Sequence, residues 1–313
     1  MFETDRIKIY PASKEQMERE RIMHFKKYTD NDYEAVCDFL IELNARDTSH
    51  INWNWARFEW MYEHPEFNKD LIESIGLWLD DGKVVGADDM YFGEGFCGVL
   101  PEYKKLYPEI LDYACTDLKD DSGFSLAVCD DNTDEIDMVL NKGFTRIDQT
   151  ENIMELDLER EFGATLPEGF RFVNPDPIKD IYELSWLFWQ GFDHGEDKQK
   201  FEKEGIGTPR ARKHFNRDLC VAACNDEGEL VSICGLWYNP ETDYVYVEPV
   251  CTIPSCRGKG VAKAVIHEAL NRGKKLGAKR AFVISDMDFY TGLGFRNKYH
   301  YTIWQKEVKK DEL

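Results

Sequence analysis

The sequence predicts an α/β protein: two similar units in tandem, each a mixed sheet with flanking helices. Three observations predict it. Short β-type runs alternate with apolar patterns of helical period along the whole chain. Each half carries a hairpin turned on an acid-glycine pair, Asp81-Gly82 in "GLWLDDGKVVGADDMYF" and Glu227-Gly228 in "LCVAACNDEGELVSICGLWY". Each half also nears its end with a helix-stopping glycine before phenylalanine, "KGF" at 142–144 and "LGF" at 293–295. The offsets, 228 − 82 = 146 and 294 − 143 = 151, are nearly constant, as duplication of one α/β unit requires.

The first unit opens at "MHFKKYTDNDYEAVCDFLIELN", a short strand followed by Thr29 or Asp30 as N-cap and an apolar helical face. The aromatic stretch Ile51 to Asn68 reads as core filling, with pocket lining as the alternative. Polar "EREFGATLPEGF" (Glu159 to Phe170), with its Gly, Pro and Gly, reads as a linker. It divides the chain into domains 1–160 and 161–313. The second unit repeats strand and helix in "FRFVNPDPIKDIYELSWLFWQGF". After its hairpin, "DYVYVEPVCTIP" is a strand, Val261 to Leu276 keeps helical spacing, and "AKRAFVIS" is a further strand.

A length of 313 residues suits two domains, and 42% hydrophobic content suffices for packed cores. Against 39 Lys+Arg stand 60 Asp+Glu, a formal net charge of −21. That acidity argues against nucleic acid or an anionic membrane as main partner; it is compatible with a cationic substrate, a solvated acidic surface being the plainer reading. The N-terminus lacks a signal-peptide core, and no segment is apolar enough to span a bilayer. Nine scattered cysteines without a CxxC pair point to a reduced, cytoplasmic protein. The terminal "KDEL" spells a retention address that has meaning only on the secretory route, and is read as a charged tail.

Chemistry concentrates at "TIPSCRGKGVA", Thr252 to Ala262, where a strand passes into a helix. Amides of a helix's first turn and its dipole favour an anion there, and glycine lets backbone approach a phosphate. A P-loop fails, because Lys259 precedes Gly260 rather than Ser or Thr and Ile253 holds the first glycine's place. A dinucleotide fingerprint fails at Lys263. What remains, Arg257-x-x-Gly260-x-Ala262, resembles the (Q/R)-x-x-G-x-(G/A) signature of the GNAT family of acetyl-CoA-dependent N-acetyltransferases. Tyr290, four residues before Gly294 in "FYTGLGF", resembles that family's other recurrent segment. The close likeness covers Val245 to Phe295. It departs seven residues ahead of the tyrosine, where the family often has Asn and this chain has Val283.

The resemblance implies two tandem GNAT-like domains. Acetyl-CoA is the co-substrate, no metal is needed, and the acceptor is a small-molecule amine. A homodimer is compatible with it. The residues implied to hold acetyl-CoA are Val250, Cys251 and Thr252 of the strand and Arg257, Gly258, Lys259, Gly260, Val261, Ala262 and Lys263 of the loop and helix start. The surrounding charge agrees: Arg257 to Arg280 holds eight basic residues and one acidic, Glu268.

Acyl transfer to an amine needs a base, a stabilised oxyanion and a protonated leaving thiolate. Glu248, a carboxylate in an apolar strand, is the candidate base; pairing with a cation is its alternative. Tyr290 is the candidate acid, or else a core tyrosine. Cys251 and Cys256 leave a thiol route open, without an evident histidine partner. An acyl-CoA-binding sensor or interaction module is the alternative to an enzyme. In the first half, alignment of Pro101 with Pro254 sets Lys104, Tyr107 and Glu109 against Arg257, Gly260 and Ala262, and Val139 falls at Tyr290. That half is therefore expected to have no cofactor site.

Overall fold

The computed structural model describes residues 7–9, 22–62, 69–91, 93–119, 123–207 and 214–307. In chain order the strands are β1 (Ile7–Ile9), β2 (Ile22–Lys27), β3 (Gly76–Asp80), β4 (Lys83–Tyr91), β5 (Glu94–Val99), β6 (Phe124–Cys129), β7 (Thr145–Asp157), β8 (Phe170–Val173), β9 (Cys220–Asn225), β10 (Leu230–Tyr238), β11 (Tyr244–Thr252), β12 (Arg280–Ile284) and β13 (Arg296–Lys306). The α-helices are α1 (Tyr33–Arg46), α2 (Trp55–Tyr62), α3 (Lys69–Ile72), α4 (Tyr107–Asp117), α5 (Thr133–Asn141), α6 (Ile181–Gly191), α7 (Lys198–Glu204), α8 (Val261–Leu276) and α9 (Asp288–Leu293). No described helix is long and apolar enough to cross a membrane. The "KDEL" tail lies outside the described residues.

The chain forms two compact units. Unit 1 comprises residues 1–58, 67–152 and 299–313. Its strands β1 to β5 pair antiparallel in succession, and β5 meets β6 in parallel at Gly95 and Leu126. Thr29 closes a capping box with Asp32 ahead of α1. Asp81 (φ 50°) and Gly82 (φ 81°) turn the β3–β4 hairpin, the geometry an acid-glycine pair supplies. Trp53, Trp55 and Phe58 from the aromatic stretch are buried.

Unit 2 comprises residues 59–66 and 153–298. Strands β8 to β11 run antiparallel, and β12 joins β11 in parallel through Tyr244 to Tyr246. Helix α8 lies along β10 with Gly273 against Val245 and Leu236, while Gly191 of α6 lies against Cys251. The register sets those contacts on opposite faces of the sheet.

These units differ from the predicted division at 160/161. Residues Ile153–Asp157 pair with β12 in unit 2, whereas Tyr301–Lys306 pair with β6 in unit 1. The C-terminal part of each half's last strand, Ile153–Asp157 and Tyr301–Lys306, therefore belongs to the other unit. Turn and period signals locate strands but carry no information on which partner a strand takes.

The stretch expected as a linker is a strap. Carbonyls of Phe162 and Gly163 meet the Asn271 and His267 side chains of α8, and those of Glu159 and Arg160 accept from Lys274.

Candidate active site

The site is built on a bulge. Strand β10 pairs with β11 at Leu236 with Val247 and again at Cys234 with Val250, so Gly235 faces two residues, Glu248 and Pro249. Gly235 admits this, because a Cβ there would stand 2.5 Å from the Glu248 carbonyl oxygen and 2.8 Å from Pro249 Cδ. The Trp237 indole donates to the same carbonyl at 2.8 Å.

Past Tyr246, β11 has parted from β12 and keeps only its β10 partner. Ile253 donates to the Val231 carbonyl, which marks that pair as mutually bonded; two residues back, Cys251 and Ile233 form the next such pair. The amides of Val250 and Thr252 therefore point away from β10, to the side that β12 has left. Two outward donors thus follow Glu248, a half-buried carboxylate-bearing position, along the same strand.

The chain then makes one turn of 3-10 helix, Pro254–Cys256, and passes through the glycine loop into α8. Gly258 (φ 74°) and Gly260 (φ 86°) both hold left-handed backbone that other residues adopt at a cost. No atom lies within 4 Å of where their Cβ atoms would be, so the loop presents bare backbone to open space. Ala264 makes the first helical bond, to Gly260, at 3.1 Å. The amides of Val261, Ala262 and Lys263 thus have no partner within the helix, and neither a capping side chain nor an acidic first-turn residue competes for them. An anionic ligand with two phosphates fits this arrangement.

The cations divide sharply. Arg257 is a positioning residue: its guanidinium and Nε bond the Thr252 carbonyl at 3.0 Å, the Gly191 carbonyl at 2.8 Å and the Asp193 carboxylate at 3.0 Å. These bonds tie the loop to the end of α6. Arg272, Lys274 and Arg280 pair with Glu268, Glu161 and Asp243. Lys259 and Lys263 form no ion pair among the described residues, and both are exposed beside the loop.

Tyr290, on the six-residue α9, is 7% exposed and packs its ring edge-on against Phe295. Burial raises the pKa of its hydroxyl, and the Cys234 thiol and the Glu248 carboxylate raise it further. The two candidate catalytic residues thus lie within electrostatic reach of one another. Val283 sits inside β12, so α9 starts only at Asp288. Cys251 is buried against α6, and burial pushes its thiol up to about 12, which removes the thiolate that a thiol route needs.

Sequence reasoning missed Gly235, Asp193 and His267. Gly235 carried a signal, a glycine inside a strand pattern, which marks a bulge or a close backbone approach.

Residues 178–295 match the family model described as "Acetyltransferase (GNAT) family". Among solved structures, the chain is similar to a tandem GNAT protein from the clavulanic acid biosynthesis pathway, at 14% identity and TM-score 0.59 over 91% of this chain and 98% of that one. It is also similar to a GCN5-related N-acetyltransferase from Sphaerobacter thermophilus, at 13% identity and TM-score 0.53 over 91% and 95%. An acetyltransferase from the GNAT family of Colwellia psychrerythraea gives 10% identity and TM-score 0.53 over 91% and 99%. At such identities the likeness is one of fold. No curated protein matches the sequence.

Proposed function

Residues 178–295 match the model of the acetyltransferase (GNAT) family, and from that match we propose that the chain transfers an acetyl group from acetyl-CoA to a primary amine of a small-molecule acceptor. The observation that carries this reading is the parting of β11 from β12 next to the bulge, with outward amides at Val250 and Thr252 and bare backbone at the loop that follows. Bound acetyl-CoA supplies an activated thioester carbonyl, and its pyrophosphate suits the amides of Val261, Ala262 and Lys263, with Lys259 and Lys263 adding charge.

Glu248 takes the proton of the incoming ammonium, directly or through water. The Val250 and Thr252 amides, fixed by the β10 ladder, donate to negative charge that develops beside them, with no reorganisation needed. Tyr290, kept protonated by burial, holds the proton for the departing sulfur. Gly258 and Gly260 keep the approach to the helix clear.

Acetyl-CoA is offered with a panel of amines, and free thiol is followed. Release that depends on an amine supports transfer; tight binding with no release for any amine would mark a sensor instead. Glu248→Gln is expected to lose turnover with protonated amines and to recover with acceptors already neutral at the assay pH. Equal loss with every acceptor would make Glu248 an orienting group.

A further inference from the structure

One turn of helix beyond the glycine loop, unit 2 holds a cleft of about 260 Å³ for which the acyl-transfer chemistry has no use. Arg160, Glu161 and Phe162 of the strap form one wall, Lys263 and His267 of α8 the second, and Gly292 and Leu293 of α9 the third.

His267 is 7% exposed, and its Nδ1 lies 2.9 Å from the Gly163 carbonyl oxygen. A carbonyl only accepts, so Nδ1 carries a proton, and in the neutral ring Nε2 is left as a lone-pair acceptor. That Nε2 is buried and has no hydrogen-bond partner. Phe162 meets the imidazole edge-on at 5.4 Å and holds its plane. An unsatisfied buried acceptor carries a free-energy cost that a ligand can remove.

The charges facing this nitrogen are mostly positive. Lys263 stands one turn before His267 on the same face of α8, and Arg160 lies over Phe162 while donating to the Leu293 carbonyl. Glu161 is 94% exposed and paired with Lys274 at 3.4 Å. The α9 wall adds no titratable group, and nothing lies within 4 Å of where a Cβ of Gly292 would be. Burial, Lys263 and Arg160 all lower the imidazole pKa against the Gly163 bond, which holds the ring neutral. An acceptor between two cations is completed by a group that brings both a proton and negative charge. A phosphate monoester, with a second pKa of about 6, brings both.

We propose that this cleft takes the ribose 3′-phosphate of CoA, with Lys263 and Arg160 meeting its charge and His267 Nε2 sharing one proton with a phosphate oxygen. The inference rests on the acetyl-CoA reading above. Lys263 joins the two regions: its amide belongs to the first turn of α8 and its side chain to the cleft, and His267 lies about 6 Å further along the helix. Complete CoA thioesters are thereby selected over donors that end in pantetheine or lack the 3′-phosphate.

Calorimetry on the full chain with CoA, 3′-dephospho-CoA, 3′,5′-ADP and inorganic phosphate, in buffers of differing ionisation enthalpy, tests this. CoA is expected to bind roughly tenfold or more tighter than dephospho-CoA, with proton uptake near neutral pH that dephospho-CoA lacks. His267→Gln removes the proton uptake and most of the discrimination while leaving dephospho-CoA affinity unchanged. Lys263→Met, on the exposed first turn, lowers CoA affinity more than dephospho-CoA affinity and serves if the His267 variant does not fold. Equal affinities and equal proton counts for CoA and dephospho-CoA overturn the cleft assignment while acetyl-CoA binding stands. Inorganic phosphate that binds as tightly as 3′,5′-ADP reduces the cleft to a general anion site and overturns it too. No binding of either CoA form overturns both readings together.

Discussion

In unit 1 the chain leaves β5 before Pro101, runs through six residues of 3-10 helix and enters α4 on Tyr107, a side chain 1% exposed. In unit 2 it leaves β11 before Pro254, uses three such residues, and enters α8 across two glycines with positive φ. The strand ahead differs as well. Strands β4 and β5 pair without interruption from Gly86–Val99 to Tyr91–Glu94, whereas β10 and β11 carry the bulge. At the hairpin offset, 235 − 146 = 89, the glycine that admits the bulge corresponds to Asp89. Unit 1 has a cleft of about 190 Å³ beside Tyr107, but His50, Asp131, Asp134 and Glu135 line it, and Lys104 pairs with Asp134 at 3.5 Å. A phosphate-bearing ligand meets carboxylates there instead of amides. The difference teaches that a few backbone-determining residues decide whether the passage from strand to helix presents bare amides or side chains.

The comparison breaks most readily at Gly260. Gly260→Val forces a β-branched residue into left-handed backbone and fills the open space before α8. Acetyl-CoA binding is expected to fall by roughly a hundredfold or more by calorimetry. A wild-type stoichiometry of two sites per chain would instead show that unit 1 keeps a cofactor site.

Tyr290→Phe is expected to lower kcat roughly ten- to a thousandfold with little change in acetyl-CoA affinity. An unchanged kcat returns Tyr290 to core packing against Phe295. Gly235→Ala pushes a methyl group against the Glu248 carbonyl and Pro249. It is expected to lower kcat/KM and thermal stability together, because it acts on the bulge that carries Glu248 and lies beside Val250. Retained activity with full stability would show that the bulge tolerates a regular ladder like that of unit 1.

The smallest effect concerns unit 1 alone. Burial raises the Asp89 carboxyl to about 7, against hydrogen bonds that act the other way. A carboxyl whose folded pKa lies above its unfolded value contributes stability that is present below about pH 4 and lost as pH rises towards 7. Asp89→Asn is expected to flatten that part of the stability profile, measured by denaturant midpoints between pH 4 and 7. An unchanged slope would place the titrating group elsewhere.

Much of this was legible in the residues, for local reasons. Helix α8 spans Val261 to Leu276 as its apolar spacing predicts, and both hairpins turn where acid-glycine pairs stand. The expectation that unit 1 has no such site rests on Tyr107 and Glu109, side chains at the places where unit 2 presents glycine and alanine. What escaped depends on long-range geometry. Arg257 belongs to the motif, yet its guanidinium is committed to Thr252, Gly191 and Asp193, up to 66 residues away. His267 sits among apolar positions of α8, and only the strap's Gly163 carbonyl decides which of its nitrogens carries the proton.

The exchange of last strands sets an order of assembly on the ribosome. Strand β6 is made long before Tyr301–Lys306, the segment that pairs with it, and residues 153–298 of unit 2 are synthesised in between. At about 5–20 residues per second, the Phe124–Cys129 edge waits roughly 10–35 s for its partner. An uncovered edge is a template for pairing with other chains, and the β6 edge of nascent unit 1 stays uncovered the longer of the two. In unit 2 the wait is shorter, since 280 − 157 = 123 residues separate Asp157 from its partner Arg280, against 301 − 129 = 172 between Cys129 and Tyr301. A stop codon just after residue 298 therefore leaves unit 2 its own strands and takes from unit 1 the partner of β6.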